Sequence, residues 1–193
     1  MATLRTAIII GSIRQGRKAE SVANWIYEVA RSREDAQFEL VDLQSFGLPF
    51  AEKPGQGRPR SSPPPATLAW SETIDSFDAF VFVTPEYNQG TSTALRNAIA
   101  MLTRPWNNKA AGFVSYGSAL GRRAVEQLRM LLGELQVADV GPQVVFSLFS
   151  DFENFGDFKP ATRHLAGVHA MLDQVIAWGG ALKALRQPAA LAS

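Results

Sequence analysis

Short, continuously apolar runs alternate with longer stretches of three/four apolar spacing along this 193-residue chain, and that alternation narrows the folds open to it. The runs span residues 4–10, 38–41, 79–84, 111–116 and 143–146. They are apolar throughout more than alternating, the pattern of strands covered on both faces. Between them, Ala19, Val22, Ala23, Ile26, Val29 and Ala30 share one helical face. So do Ala124, Leu128, Leu131, Leu132 and Leu135 within 119–136, and Leu165, Val168, Leu172, Val175, Ile176 and Leu182 further on. Another helix starts near Ser92, and Pro105 is expected to end it, because proline donates no helical hydrogen bond. Strand and helix in alternation build right-handed βαβ units around a parallel sheet.

Five strands and five helices in this length predict an α/β, doubly wound sheet of five parallel strands, with helices on both faces and the flavodoxin-like order 2-1-3-4-5. A single domain over residues 1–193 is expected. Its one irregular stretch is 53–66, KPGQGRPRSSPPPA, which reads as a Pro-rich surface loop. Lysine and arginine number 19 against 18 acidic residues, so the net charge is 19 − 18 = +1. That balance argues against nucleic acid as a partner. There is no cysteine, which excludes disulfides, Cys-ligated metal and a thiol nucleophile. The longest purely apolar runs, such as 79–83 and 98–102, have only five residues. A membrane span needs ~18, so no membrane partner is expected. With no signal-peptide pattern either, a cytoplasmic location is expected.

In such a fold ligands bind at the carboxyl ends of the strands, which directs attention to three loops. The first, GSIRQGRKAES at 11–21, joins a strand to a helix start, where free N–H groups and the helix dipole favour an anion. Arg14, Arg17 and Lys18 put three cations beside that positive pole, a conflict that a phosphate would resolve. The loop is not a Walker A motif, since Arg17 follows Gly16 where lysine is needed. Nor is it a dinucleotide fingerprint, whose third position is glycine and is Ile13 here. The second loop, PEYNQGTS at 85–92, offers a rigid exit at Pro85, an aromatic surface at Tyr87 and amides at Asn88 and Gln89. The third, Ser115-Tyr116-Gly117-Ser118, ends the next strand at the same sheet edge. Together they suit a planar heterocycle on a phosphate tail.

GSIRQGR, TPEYN followed by LRNAI, and VSYG followed by GRRAVEQLR resemble the NADPH-dependent FMN reductases, flavodoxin-like proteins that include quinone, azo-dye and chromate reductases. The resemblance covers roughly residues 4–146. It implies an NAD(P)H-dependent flavin oxidoreductase that passes hydride from NADPH or NADH to FMN and then to a small-molecule acceptor: flavin, quinone, azo compound or metal oxyanion. It further implies that Ser12 and Arg14 bind the FMN phosphate. Pro85, Glu86, Tyr87 and Asn88 would line the ring and ribityl chain, and Ser115, Tyr116 and Gly117 would meet the ring's pyrimidine edge. Many relatives carry serine where this chain has Arg17, and a guanidinium there can hold phosphate bidentately. Relatives are commonly dimers or tetramers, so a homodimer or homotetramer is expected.

Because a flavin carries the chemistry itself, no catalytic side chain and no metal ligand is nominated. His164 and His169, far in sequence from the three loops, read as structural. A non-catalytic FMN-binding electron carrier or an interaction module stays open as the alternative, although carriers of that kind are strongly acidic. Phe146, Phe149, Phe152, Phe155 and Phe158 recur every third residue. They read either as loop packing over the core or as a subunit contact.

Overall fold

The computed structural model describes residues 3–50 and 63–186. Five parallel strands form one sheet in the order β2-β1-β3-β4-β5: β1 Leu4–Ile10, β2 Ala36–Asp42, β3 Ala79–Pro85, β4 Lys109–Gly117 and β5 Val137–Ser147. The helices are α1 Ala19–Ala30, α2 Pro65–Asp75, α3 Thr93–Ala100, α4 Arg122–Glu134 and α5 His164–Arg186. Alternation along β1 divides the core. Ile8 and Ile10 pack with α1 and α5 on one face of the sheet, and Ala7 and Ile9 pack with α2, α3 and α4 on the other. The central strands β3 and β4 are buried at every position, as strands covered on both faces are.

Several boundaries differ from expectation for identifiable reasons. The third helix stops at Ala100, four residues short of Arg104 and Pro105, which lie in a separate 3-10 turn, Arg104–Trp106. Two buried indoles take up its terminal carbonyls: Trp70 Nε1 donates to Ala98 O at 2.8 Å and Trp106 Nε1 to Ile99 O at 3.1 Å. Carbonyls at a helix end need such partners, so the aromatic caps stop the helix before proline can. Helix α4 starts at Arg122 because Leu120 and Gly121 both adopt positive φ, 66° and 74°. Strand β5 is longer than the predicted 143–146. Its register shifts opposite Ala111 and Phe113, so two short apolar stretches either side of Gly141 and Pro142 join into one strand.

The Pro-rich stretch also divides. Residues 53–62 lie outside the described residues, whereas Pro65 and Ala66 already belong to α2, with Pro65 in the first turn where its missing N–H is harmless. After β5 the chain makes a two-stranded antiparallel excursion, β6 Phe152–Glu153 and β7 Asp157–Phe158, before α5. Here the phenylalanine series splits by turns. Phe146, Phe152 and Phe158 pack inward with Trp25, while Phe149 and Phe155 stand exposed, ring edge to ring face at 5.8 Å. Loop packing and an exposed aromatic surface are both present. The buried Asp151 carboxylate ties the excursion down, accepting from the Ser147 N–H at 2.8 Å and meeting His164 Nε2 at 2.8 Å. His164 thus serves the fold, and His169 lies exposed near Arg33.

Candidate functional site

The carboxyl ends of β1, β3 and β4 converge on one edge of the sheet, where the chain order reverses between β1 and β3. The exit from β1 is tight. Gly11 N donates to Val83 O at 2.8 Å, and a Cβ at Gly11 would stand 2.5 Å from that same oxygen. The Ser92 hydroxyl donates to Gly11 O and accepts from Leu95 N at 3.0 Å, so one serine caps α3 and fixes the first loop.

The first loop then runs to α1. Ser12 is buried, and its Oγ lies 3.3 Å from the Tyr87 hydroxyl and accepts weakly from Arg14 N at 3.4 Å. Lys18 occupies the N-cap position of α1 and makes no side-chain cap, which leaves the first-turn N–H groups without the usual oxygen partner from that residue. Arg14 extends over the Tyr87 ring with its guanidinium carbon 5.7 Å from the centroid. Arg17 does otherwise. Its fork grips Asp42, at the carboxyl end of β2, at 2.7 and 2.5 Å, and Nη1 also donates to Ser12 O at 2.8 Å. The Asp42 bonds push the Arg17 guanidinium above its ordinary range despite the opposing effect of burial. Both terminal nitrogens of Arg17 are therefore engaged within the protein.

The second loop folds back on itself. Tyr87 and Gly90 exchange backbone hydrogen bonds at 2.8 and 3.0 Å across Asn88 and Gln89, both at positive φ, 47° and 66°. That is the primed tight-turn geometry, which asparagine tolerates and glutamine does not favour. Gln127 Nε2 holds the strained turn by donating to Gln89 O at 3.2 Å. Pro85 closes β3, and the Glu86 carboxylate accepts from Arg123 N at 3.2 Å, at the head of α4. In the third loop, the Ser115 hydroxyl donates to Leu120 O at 2.9 Å. Gly121 fits closely: a Cβ there would stand 2.7 Å from Ser115 Cβ and 2.8 Å from Tyr116 N.

These loops enclose a polar cleft of about 220 Å³ in which Arg14, Arg17, Pro85, Glu86, Tyr87, Tyr116 and Gly117 all take part. Ser12 lines an adjoining, more apolar cleft of about 370 Å³ that shares Arg14 and Tyr87. Two expected residues are placed differently. Asn88 is exposed at the tip of its turn, and Ser115 is buried beneath the third loop, where it holds Leu120. Two further residues bear on the cleft, one in its lining and one behind it, holding Arg17. Leu148 lines the polar cleft and donates its N–H to Gly117 O at 3.2 Å, which no sequence signal marks. Asp42 was findable in principle, as an acid at the carboxyl end of a strand.

Tyr116 is the most telling member. Its hydroxyl is buried and has no hydrogen-bond partner among the described residues. Burial, helped by the Tyr87 phenol, pushes it far above the usual tyrosine range, against smaller pulls from the Ala19 N–H, Arg17 and Arg14. It is therefore a neutral donor facing the cationic loop at the head of α1, a group that lacks an acceptor. An anion at this place would accept from it, and the donor set fits a phosphate monoester.

The chain is similar to known proteins over most of its length. The family profile described as NADPH-dependent FMN reductase matches residues 4–151. An NAD(P)H-dependent FMN reductase of Schizosaccharomyces pombe is 32% identical over 169 residues, 84% of each chain. A quinone reductase of Pseudomonas putida is 27% identical over 182 residues, 89% of this chain and 92% of that one. The fold matches the flavoenzyme NAD(P)H:(acceptor) oxidoreductase FerB from Paracoccus denitrificans at a TM-score of 0.74 and 19% identity, over 93% of this chain and 98% of that one. The chain belongs to the NADPH-dependent FMN reductase family, and is an oxidoreductase that works with FMN and NAD(P)H.

Proposed function

We propose that this protein is a quinone-type reductase with its flavin held across the polar cleft. FMN, when bound, supplies the two-electron chemistry, and the chain binds and orients it. The N–H groups at the head of α1, the hydroxyls of Ser12 and Tyr116, and the cations of Arg14 and Lys18 would hold the phosphate. Pro85, Glu86, Tyr87 and Gly117 would form the wall along the rest of the flavin. Asn88 would contribute from the rim, and Ser115 would contribute by fixing the third loop. The observation that carries this reading is the unpartnered Tyr116 hydroxyl in a cationic cleft beside an uncapped helix start.

Quinones are the favoured acceptor class because relatives from Pseudomonas putida, potato and a Burkholderia species are named as quinone or benzoquinone reductases. Among the described residues no helix is long and apolar enough to cross a membrane. A cytoplasmic setting, with access to NAD(P)H, belongs to the same proposal. So does a homodimer or homotetramer, supported by the exposed Phe149–Phe155 pair, in which Phe155 adopts a strained φ of 53°.

The test is retention of flavin with turnover. Protein reconstituted with FMN and then desalted is expected to keep flavin and to reduce a benzoquinone with NADPH, faster than free FMN does. Loss of the flavin on desalting, or turnover no faster than free FMN, would count against it.

A further inference from the structure

The Arg17–Asp42 pair has a role that phosphate binding does not describe. Arg17 is nearly buried, with 8% of its side chain exposed, and Asp42 keeps 32%. The pair is neutral as a unit, so it adds little net attraction for an anion. Its geometry, however, reaches the loop backbone: Arg17 Nη1 donates to Ser12 O at 2.8 Å while the same fork holds Asp42. In a trans peptide, fixing the Ser12 carbonyl fixes the Ile13 N–H on the other side of the same plane. Asp42 is itself anchored, since its Oδ1 accepts from Gln44 N at 2.9 Å at the start of the 3-10 turn Leu43–Phe46. β2, through this carboxylate, thereby sets the shape of the loop that leaves β1.

We propose that Arg17 and Asp42 form a positioning clamp that holds the first loop in its phosphate-binding shape, and that Arg17 is not itself a phosphate ligand. This rests on the reading of the polar cleft as the flavin-phosphate site. Two opposite consequences separate a clamp from a ligand. If Arg17 bound phosphate directly, Asp42 would compete for it, and neutralising Asp42 would tighten FMN. If the pair is a clamp, neutralising Asp42 releases Arg17 and loosens FMN.

The experiment is titration of the full-length apoprotein with FMN and with riboflavin, which lacks the phosphate, read by flavin fluorescence. The proteins compared are wild type, Arg17→Met, Asp42→Asn and the double variant. Asp42→Asn keeps an oxygen for the Gln44 N–H. Each single variant is expected to weaken FMN on the order of tenfold, the scale of coupling within one hydrogen-bonded network. The double variant should be no weaker than the weaker single, and riboflavin affinity should stay unchanged throughout. Should Arg17→Met fail to fold, Arg17→Lys, which keeps the charge but loses the fork, carries the same comparison. Tighter FMN binding by Asp42→Asn, additive losses in the double variant, or an equal loss for riboflavin would each overturn the clamp. A wild type that binds FMN no better than riboflavin would instead remove the phosphate site on which the clamp rests.

Discussion

Tyr116 concentrates the site's chemistry in one atom. Its hydroxyl is buried without a partner among the described residues, a state that lowers apoprotein stability and is relieved when an acceptor arrives. Tyr116→Phe is therefore expected to act with opposite signs. FMN affinity should fall by the worth of a hydrogen bond to a charged group, about 1.5–3 kcal/mol, whereas apoprotein stability should hold or rise. Flavin titration and thermal melting of the apoprotein check the two signs; a variant that loses both would mean the hydroxyl has a structural partner. Asp151 presents the contrasting case, a buried carboxylate with several donors around it. Asp151→Ala should destabilise the protein by about 1–3 kcal/mol, measured by urea unfolding, because the Ser147 N–H and His164 lose their acceptor.

Among the elements, α2 ends against a buried cation. Lys109, at the start of β4, donates Nζ to Ile74 O at 2.7 Å and Asp75 O at 3.1 Å, and so takes up carbonyls at the end of α2. Burial pushes its ammonium down to about 8, partly offset by the Asp75 carboxylate. A folded value below the unfolded one means that the unfolded chain binds more protons between about pH 8 and pH 10.5. Stability contributed by this group should therefore rise with pH across that window. Urea unfolding of wild type and Lys109→Met through the window should show that rise in the wild type and less of it in the variant; parallel curves would contradict it. None of this was legible in the sequence, where Lys109 is one charge beside a strand. The apolar run of residues 4–10 does mark β1, and the three/four spacing between Ala19 and Ala30 marks α1, since both elements bury those side chains. Such patterning failed where side chains from elsewhere set the boundary, as Trp70 and Trp106 do at the end of α3.

Across the whole molecule, binding and anchoring occupy opposite ends of the sheet. At the end away from the cleft, Asp78 accepts from Arg5 N at 3.0 Å and from Lys183 Nζ at 2.8 Å, and Arg186 also binds it, so α5 is tied to the β1–β3 edge. Asp78→Asn should lower stability by about 1–3 kcal/mol and leave FMN affinity unchanged, which paired unfolding and flavin titrations would show. The sheet order could be read from the chain, and with it which three loops share the edge that carries the clefts, because strand alternation fixes that placement. The partners of individual side chains could not. Arg17 facing Asp42, and Ser115 turned to Leu120, depend on contacts between segments distant in sequence or on the local path of a turn. In the proposed function these loops hold an FMN that NAD(P)H can reduce. The most direct test is anaerobic mixing of FMN-reconstituted, desalted protein with NADPH while the oxidised-flavin band near ~450 nm is followed. Bleaching, with colour restored by added benzoquinone, is the predicted result; retained flavin that stays yellow would contradict the account and leave a flavin-binding protein without reductase activity.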